Sequence, residues 1–196
     1  MTPSALDAQK REIRLKSRQL LQAIPSSVRK VKSRRIVSFF TRTRIYKNAR
    51  KVLLYASFGT EPDTWALLKD ALESGKEVYL PRVAANRKLG VYRVDDLHKD
   101  LVKGAFGIWE PLPRVNRRAE PRKMDVIVIP GLAFDSRGRR LGRGLGFYDR
   151  LLADSGHAFL AGLAFDEQKV RQIPVGPRDR NVMMLVTDKR VYRVHA

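Results

Sequence analysis

Apolar residues along the chain follow two patterns, one typical of amphipathic helices and one typical of buried strands. Near the N-terminus they recur at helical spacing until Pro25, which ends a first predicted helix. Residues 26–40 carry a second apolar stripe behind a serine that can cap the helix. Residues 64–74 form a third predicted helix that ends at Gly75, and residues 147–153 form a fourth.

Between the helical segments lie short apolar runs in which polar residues do not alternate. Such runs are typical of strands that are covered on both faces, as in a parallel sheet. Residues 95–123 are rich in Gly and Pro and are predicted to be mainly loop. The pattern predicts an α/β fold, with residues 1–196 as a single domain, a largely parallel sheet flanked by helices, and the basic N-terminal helices packed on it. The predicted strands are 51–55, 76–81, 88–94, 126–129, 158–165, 183–187 and 190–194.

The chain is strongly basic, with 40 Lys and Arg against 20 Asp and Glu and a formal net charge of +20. Residues 1–50 hold fourteen of these cations and only two carboxylates. Such a field attracts polyanions, including nucleic acid and nucleotides, so nonspecific polyanion binding is one hypothesis. A solvated basic face that favours solubility is the alternative, and charge alone does not separate the two.

Composition excludes several classes of site. The chain has no cysteine, so disulfides, thiolate metal sites and a cysteine nucleophile are excluded. Its three histidines lie far apart, without metal-ligand spacing. No apolar run approaches the roughly 18 residues of a membrane span, and no secretory signal is recognisable. We therefore expect a cytoplasmic protein with no membrane association.

The stretch FDSRGRRLGRGLGFYDR, residues 134–150, combines glycines with arginines between a predicted strand and a predicted helix. Glycines let backbone N–H groups approach a ligand closely, and arginines donate charge-assisted hydrogen bonds to phosphate oxygens. In open α/β sheets, ligands bind at the carboxyl ends of the strands. The stretch therefore predicts a phosphate-binding loop, although its spacing matches neither a Walker A loop nor a Rossmann fingerprint.

Asp149 does not fit a purely cationic loop, because a carboxylate repels a phosphate unless a cation lies between them. Mg²⁺ is the usual ion in this position, held by one or two carboxylates and by nucleotide oxygens. The alternative is a glycine-rich turn in which Asp149 pairs with Arg143 or Arg150. The residues alone leave both readings open.

Residues 130–150 closely resemble the signature of the 5-formyltetrahydrofolate cyclo-ligase family, in which Pro-Gly-x-x-Phe-Asp is followed by Gly-x-Arg-Leu-Gly-x-Gly-x-Gly-x-Tyr-Asp. Further elements follow in the order the family has them. KREIR at 10–14, YASFGTEPDT at 55–64, FGIWEP at 106–111 and the tail at 162–182 resemble its other conserved segments. The resemblance covers nearly the whole chain, and the central signature is highly specific.

The resemblance implies ATP- and Mg²⁺-dependent closure of 5-formyltetrahydrofolate to 5,10-methenyltetrahydrofolate, with release of ADP and phosphate. The formyl oxygen would be phosphorylated first, and N10 of the folate would then attack the activated carbon. The implied substrate is the folate with or without a polyglutamate tail, and a monomer is expected. A polyanion-binding protein on a degenerate ligase fold and a noncatalytic phosphate-binding protein are the competing hypotheses.

The same resemblance assigns roles to individual residues. Lys10, Arg143 and Asp149 would be catalytic, with Arg143 stabilising the transferring phosphoryl group, and Asp149 with Asp179 would bind Mg²⁺. Nucleotide contacts would come from Lys10, Arg11, Glu12, Ile13, Arg14, Arg140, Leu141, Gly142, Arg143, Gly144, Leu145, Gly146, Phe147 and Tyr148. Substrate contacts would come from Ala56, Phe58, Glu61, Arg143, Gly144, Leu145, Gly146 and Phe147.

Each role has a plainer alternative. For Lys10 and Arg14 the alternative is a solvated helix face, as on any basic helix. Glu61 stands just before a helix, and Asp179 lies between two arginines. Trp109 fits a core position better than a stacking role. The sequence also departs from the family pattern at Leu145, Phe147 and Arg178, where the family often has Gly or Lys, Tyr and His. A leucine at 145 loses one permissive backbone position and one charge, so nucleotide affinity is expected to differ.

Overall fold

The computed structural model describes residues 5–84, 88–176 and 180–194. The predicted helices are present within one residue or so of their expected ends, and a short helix that the pattern did not predict lies at 44–48. The helices are α1 Ala5–Ala23, α2 Ser26–Thr41, α3 Arg44–Asn48, α4 Trp65–Glu73 and α5 Phe147–Ala153. None of the helices in these ranges is both long and apolar enough to cross a membrane.

All seven predicted strands are present, and five further short strands occur in segments that were predicted to be loop. The strands are β1 Lys51–Leu53, β2 Glu77–Val83, β3 Leu89–Val94, β4 Leu101–Lys103, β5 Trp109–Pro111, β6 Arg118–Ala119, β7 Val126–Ile129, β8 Ala133–Phe134, β9 Arg140–Leu141, β10 Phe159–Leu163, β11 Met184–Val186 and β12 Val191–Arg193. The missed strands have only two or three residues each, too few to show a hydrophobic period.

Eight strands form the main sheet in the order β12-β11-β10-β7-β1-β2-β3-β6. The five central strands are parallel, β12 and β3 run antiparallel to them at either side, and β6 pairs antiparallel with β3 at the outer edge. This arrangement confirms the predicted α/β class and the largely parallel sheet. Two small antiparallel pairs, β4 with β5 and β8 with β9, lie outside the main sheet.

The direction in which the chain adds successive strands to the sheet reverses between β1 and β7. The chain leaves β1 through α4 toward β2, whereas it leaves β7 through α5 toward β10 on the other side. The loops that follow these two neighbouring strands therefore diverge and open a crevice at their carboxyl ends. Such a switch point is where open α/β sheets bind ligands.

Alternate residues of the central strands point to opposite faces of the sheet, and each face has its own apolar core. Val52 and Val128 lie on the face covered by α1, α2 and α4, where Ile36 and Phe40 are completely buried. Leu53, Ile127 and Ile129 lie on the other face, beneath α5. Burial on both faces explains why the strands appear as continuous apolar runs.

Candidate active site

The crevice at the switch point is a cavity of about 370 Å³, a volume within the range of small-molecule sites. Its walls come from α1, from the loops after β1 and β7, from β2 and β5, and from the segment that joins β9 to α5. The lining residues are Lys10, Arg14, Tyr55, Ala56, Phe58, Glu61, Pro81, Val83, Leu89, Phe106, Ile108, Trp109, Glu110, Pro130, Gly131 and every residue from Arg140 to Asp149.

One wall of the cavity is cationic and is formed by α1 against the glycine-rich segment 142–146. Lys10 and Arg14, four residues apart on α1, both face the cavity as their spacing predicted. Arg14 Nε donates to the carbonyl oxygen of Gly142 at 3.0 Å, and Arg18 Nη2 lies 3.5 Å from the carbonyl oxygen of Arg143. These contacts dock α1 beside the loop.

The remaining predicted nucleotide contacts on α1 do not line the cavity. Arg11 and Glu12 are exposed, and the Glu12 carboxylate accepts a hydrogen bond from Lys16 at 2.6 Å. Ile13 packs beside buried Leu141 and Ile173 instead. Because the helix turns these three side chains away, any nucleotide contact from them would have to come from the exposed rim.

Arg143 and Glu61 form an ion pair across the cavity, with 3.0 Å between Arg143 Nη2 and Glu61 Oε1. The second carboxylate oxygen of Glu61 accepts the backbone N–H of Phe58 at 3.0 Å. Burial raises the pKa of Glu61, and the charge of Arg143 and these hydrogen bonds oppose that rise. The pair joins the predicted phosphoryl-stabilising arginine to the predicted substrate carboxylate, a contact that the sequence did not suggest.

Asp149 in the first turn of α5 pairs with Arg140, at 2.5 Å between Asp149 Oδ1 and Arg140 Nη2. The suggested pairing of Asp149 with Arg143 or Arg150 is therefore wrong, because Arg143 turns to Glu61 and Arg150 donates to the carbonyl of Leu145. Arg140 also donates to the carbonyl of Pro130 at 3.1 Å, and its side chain is almost fully buried.

Asp179, the second predicted metal ligand, lies outside the described residues. Within the ranges that the structure describes, no cluster of three or more His, Cys, Asp or Glu side chains forms a metal site. Asp149 nevertheless lines the cavity, where Arg140 contacts its Oδ1. A cavity-lining carboxylate fits Mg²⁺, an ion that proteins bind through one or two carboxylates, water and phosphate oxygens.

Backbone conformation in the loop depends on two of its glycines. Gly144 has φ +104° and Gly146 has φ +65°, values that favour glycine over any residue with a Cβ. Leu145 between them does not have a positive φ, since Phe106 is the non-glycine residue with that conformation in the described part of the chain. The expected backbone penalty of a leucine at 145 is therefore wrong, and its half-exposed side chain lies at the cavity wall instead.

Another part of the cavity wall is apolar and aromatic. Ala56 and Phe58 line it as predicted, and Phe58 is 41% exposed. The interpretation of Trp109 as a core residue is wrong, because its side chain is 43% exposed and lies at the cavity wall on β5. Phe147 and Tyr148 close the cavity from the start of α5. Flat apolar surfaces of this kind suit a flat aromatic ligand.

Sequence reasoning missed two buried polar residues of the cavity, Tyr55 and Glu110. The carboxylate of Glu110 accepts the backbone N–H of Val83 at 3.3 Å and lies 3.6 Å from Arg82, and burial raises its pKa. Tyr55 directly precedes Ala56, and Glu110 belongs to the segment FGIWEP. Both residues lie in segments that resemble conserved segments of the family, but the resemblance assigned neither of them a role.

The first part of the glycine-arginine stretch is structural. The buried carboxylate of Asp135 accepts backbone N–H groups of Arg137, Arg139 and Ile173 at 2.9–3.0 Å, which closes the turn between β8 and β9. Gly138 has φ +72°, and a Cβ there would meet the carbonyl of Val182 at 2.2 Å. These residues hold the hairpin whose second strand delivers Arg140 to the cavity.

Comparisons with known proteins identify the family of the chain. The model of the 5-formyltetrahydrofolate cyclo-ligase family matches residues 6–188. A 5-formyltetrahydrofolate cyclo-ligase of Mycolicibacterium smegmatis is 33% identical over 190 residues, covering 92% of this chain and 94% of that protein. One from Escherichia coli is 35% identical over 150 residues, covering 74% and 81% respectively.

A solved structure gives the same result at the level of the fold. The NMR structure of 5,10-methenyltetrahydrofolate synthetase from Aquifex aeolicus superimposes with a TM-score of 0.85 at 35% identity, covering 95% of this chain and 93% of that one. The chain therefore belongs to the 5-formyltetrahydrofolate cyclo-ligase family.

Proposed function

We propose that the protein catalyses the ATP- and Mg²⁺-dependent cyclisation of 5-formyltetrahydrofolate to 5,10-methenyltetrahydrofolate, with release of ADP and phosphate. The observation that carries the proposal is that one cavity combines a glycine-arginine wall with a second wall made of a largely buried carboxylate and an apolar face. The first wall suits a triphosphate, and the second suits a pterin ring. Membership of the cyclo-ligase family supports the same reaction.

The proposed reaction has two steps. The formyl oxygen attacks the γ-phosphorus of ATP, so that an O–P bond forms, the bond to the β–γ bridging oxygen breaks, and ADP leaves. N10 then attacks the activated carbon, the C–O bond breaks with phosphate as the leaving group, and the N10 proton is lost. Phosphorylation is needed because an amide oxygen is a poor leaving group. Most of the rate enhancement is expected from positioning and charge stabilisation.

Lys10 and Arg14 are proposed to hold ATP phosphates from α1. Both face the cavity, and Arg14 already lies against the loop through Gly142. Backbone N–H groups of the glycine-rich segment 142–146 would approach the phosphate oxygens closely, since its glycines have no side chain to prevent this. α5 has only seven residues, so guanidinium and ammonium charges would contribute more than the dipole of that helix.

Arg143 is proposed to stabilise the phosphoryl group during transfer. Its guanidinium binds Glu61, so a ligand that takes the carboxylate of Glu61 would release the guanidinium toward the phosphate. A largely buried carboxylate suits the N–H donors of a pterin, and Ala56 and Phe58 would contact the ring. The two assigned roles therefore depend on each other: binding of the folate at Glu61 would free the arginine for catalysis.

Asp149 and Asp179 are proposed to be the residues that would hold Mg²⁺. When bound, the ion would neutralise charge on the phosphate oxygens. Asp149→Asn keeps an oxygen that can accept from Arg140 and removes the negative charge. We expect the variant to fold normally and to lose turnover, measured as methenyl product formed at increasing Mg²⁺. Full activity at the Mg²⁺ concentration that saturates the wild type would remove the metal role of Asp149.

The function is tested by adding 5-formyltetrahydrofolate with Mg-ATP to purified protein and following methenyl absorbance. The expected result is product formation that requires ATP and is accompanied by ADP. Folded protein that binds neither substrate, or product formed equally well without ATP, would overturn the proposal. The monomeric state, the cytoplasmic location and acceptance of polyglutamylated folate stay predictions.

A further inference from the structure

Tyr55 carries a buried hydroxyl and is one of the residues that line the cavity. It follows β1 directly and is only 3% exposed. Its backbone is fixed, because its carbonyl oxygen accepts the hydroxyl of Thr64. Among the described residues, its own hydroxyl has no hydrogen-bond partner. Buried hydroxyls are nearly always paired, and an unpaired one costs stability, so this group calls for a physical reason.

Tyr55 lines the same cavity as the ion pair of Glu61 with Arg143. The charge of Glu61 and the phenol of Tyr148, both lining groups, act on the Tyr55 hydroxyl, and Asp63 contributes less. Burial and these neighbours raise the pKa of Tyr55 well above its ordinary value, so the hydroxyl remains protonated at neutral pH. Tyr55 therefore offers a hydrogen-bond donor in the same cavity as the Glu61 carboxylate, which can only accept when it is ionised.

A pterin ring presents the complementary pair of groups. On one edge, N–H donors at the 2-amino group and N3 stand next to an acceptor, the carbonyl oxygen at C4. We propose that the Tyr55 hydroxyl donates a hydrogen bond to this carbonyl oxygen while Glu61 accepts from the N–H donors, so that Tyr55 selects folates with a 4-oxo group. The proposal rests on the proposed function, because it takes the folate to bind at Glu61.

The test compares Tyr55→Phe with the wild type in equilibrium binding of two ligands, 5-formyltetrahydrofolate and its analogue with an amino group at C4. An amino group offers no carbonyl acceptor to the hydroxyl. Loss of one neutral hydrogen bond is worth about tenfold in affinity. We expect Tyr55→Phe to weaken binding of the 4-oxo ligand by about tenfold and to weaken binding of the 4-amino analogue little, so that the ratio of the two affinities shifts toward the analogue.

Thermal unfolding provides an independent readout. Because Tyr55→Phe removes an unpaired polar atom from the protein and leaves the ring, its melting temperature is expected to equal or exceed that of the wild type. Tyr46→Phe is the matched control, since the buried Tyr46 hydroxyl is paired with Asp70 away from the cavity. That variant is expected to melt at a lower temperature and to keep the affinity ratio of the wild type.

An unchanged affinity ratio in Tyr55→Phe would overturn the proposal, and a lower melting temperature with an unchanged ratio would assign the hydroxyl to an internal water. The result is separable from the proposed function, because it is read from binding. Wild-type protein that binds the folate without forming methenyl product would contradict the reaction but leave the role of Tyr55 testable. Wild-type protein that does not bind the folate would contradict both.

Discussion

Arg143 is the residue on which the proposed phosphoryl transfer depends most. Removing one group that stabilises charge only in the transition state commonly lowers kcat by 10²–10³. We therefore expect Arg143→Ala to lower kcat by about 10²-fold or more, and to change the dissociation constant of ATP only a few-fold. Arg11→Ala is the control, since it removes the same charge from an exposed position on α1 that does not line the cavity.

Methenyl formation gives kcat, and equilibrium titration with nucleotide gives the dissociation constant. A variant in which only nucleotide affinity falls, with kcat retained, would make Arg143 a ground-state contact. Arg143→Lys adds a second comparison, because lysine keeps the charge but not the planar fork that reaches two oxygens at once.

Glu61 makes stability depend on pH in a predictable direction. Its folded-state pKa lies above the ordinary value of 4.5, so the contribution of this group is fully present below that value and is lost as pH rises through the folded pKa. The free energy of unfolding of the wild type minus that of Glu61→Gln is therefore expected to fall as pH rises above the ordinary pKa of 4.5.

Denaturant unfolding at several pH values measures this difference. Glu12→Gln is the control with the opposite sign, because the exposed Glu12 has a pKa lowered by Lys16. Saturating 5-formyltetrahydrofolate should flatten the slope for Glu61, since N–H donors from the pterin favour the ionised carboxylate. If the difference in unfolding free energy did not change with pH in the free protein, it would contradict the raised pKa of Glu61.

The sequence could identify site residues that belong to a local motif, but not contacts that depend on residues distant in the sequence. The sequence pointed to four residues that do line the cavity, Lys10, Arg14, Glu61 and Asp149. It did not predict the residues with which Glu61 and Asp149 pair. The partner of Asp149 depends on the hairpin that buries Arg140, and the partner of Glu61 comes from a loop 82 residues away. Tyr55 and Trp109 show the same limit, because burial is set by neighbours that are distant in the sequence.

At the level of helices and strands, α1 is held to the site by contacts within the protein. Leu21 is buried in the core, and Arg14 donates to Gly142. We therefore expect slow amide hydrogen exchange over residues 13–21 of α1 before any nucleotide is added. Nucleotide should add protection chiefly to the glycine-rich segment 142–146.

Hydrogen exchange followed by mass spectrometry distinguishes these segments. Fast exchange over residues 13–21 that slows only after Mg-ATP is added would show that α1 closes onto the nucleotide, contrary to this expectation. Arg14→Ala should speed exchange in the first half of α1 while leaving the residues around Leu21 protected.

Long periodic elements were predictable, and short ones were not. The apolar run of β7 and the stripe of α2 carry enough residues to establish a period. Strands such as β8 and β9 have two residues each and exist because the Asp135 turn brings them together. The switch point between β1 and β7 is a property of strand order, which the pattern of apolar residues does not contain.

Over the whole molecule, the proposed site uses few of the available positive charges. Lys10, Arg14, Arg140 and Arg143 line the cavity, whereas the chain has 40 Lys and Arg. Many of the others lie on exposed positions of α1 and α2. Polyanion binding by that surface stays a prediction, which would show a steep loss of affinity with rising salt.

The proposed phosphorylation of the formyl oxygen by ATP is tested most directly by following that oxygen. In 5-formyltetrahydrofolate labelled with ¹⁸O in the formyl group, that oxygen is the proposed nucleophile toward ATP and leaves with the phosphate. The account predicts that each methenyl product is accompanied by one ADP and one phosphate that carries the label. Unlabelled phosphate together with label released into water would contradict it.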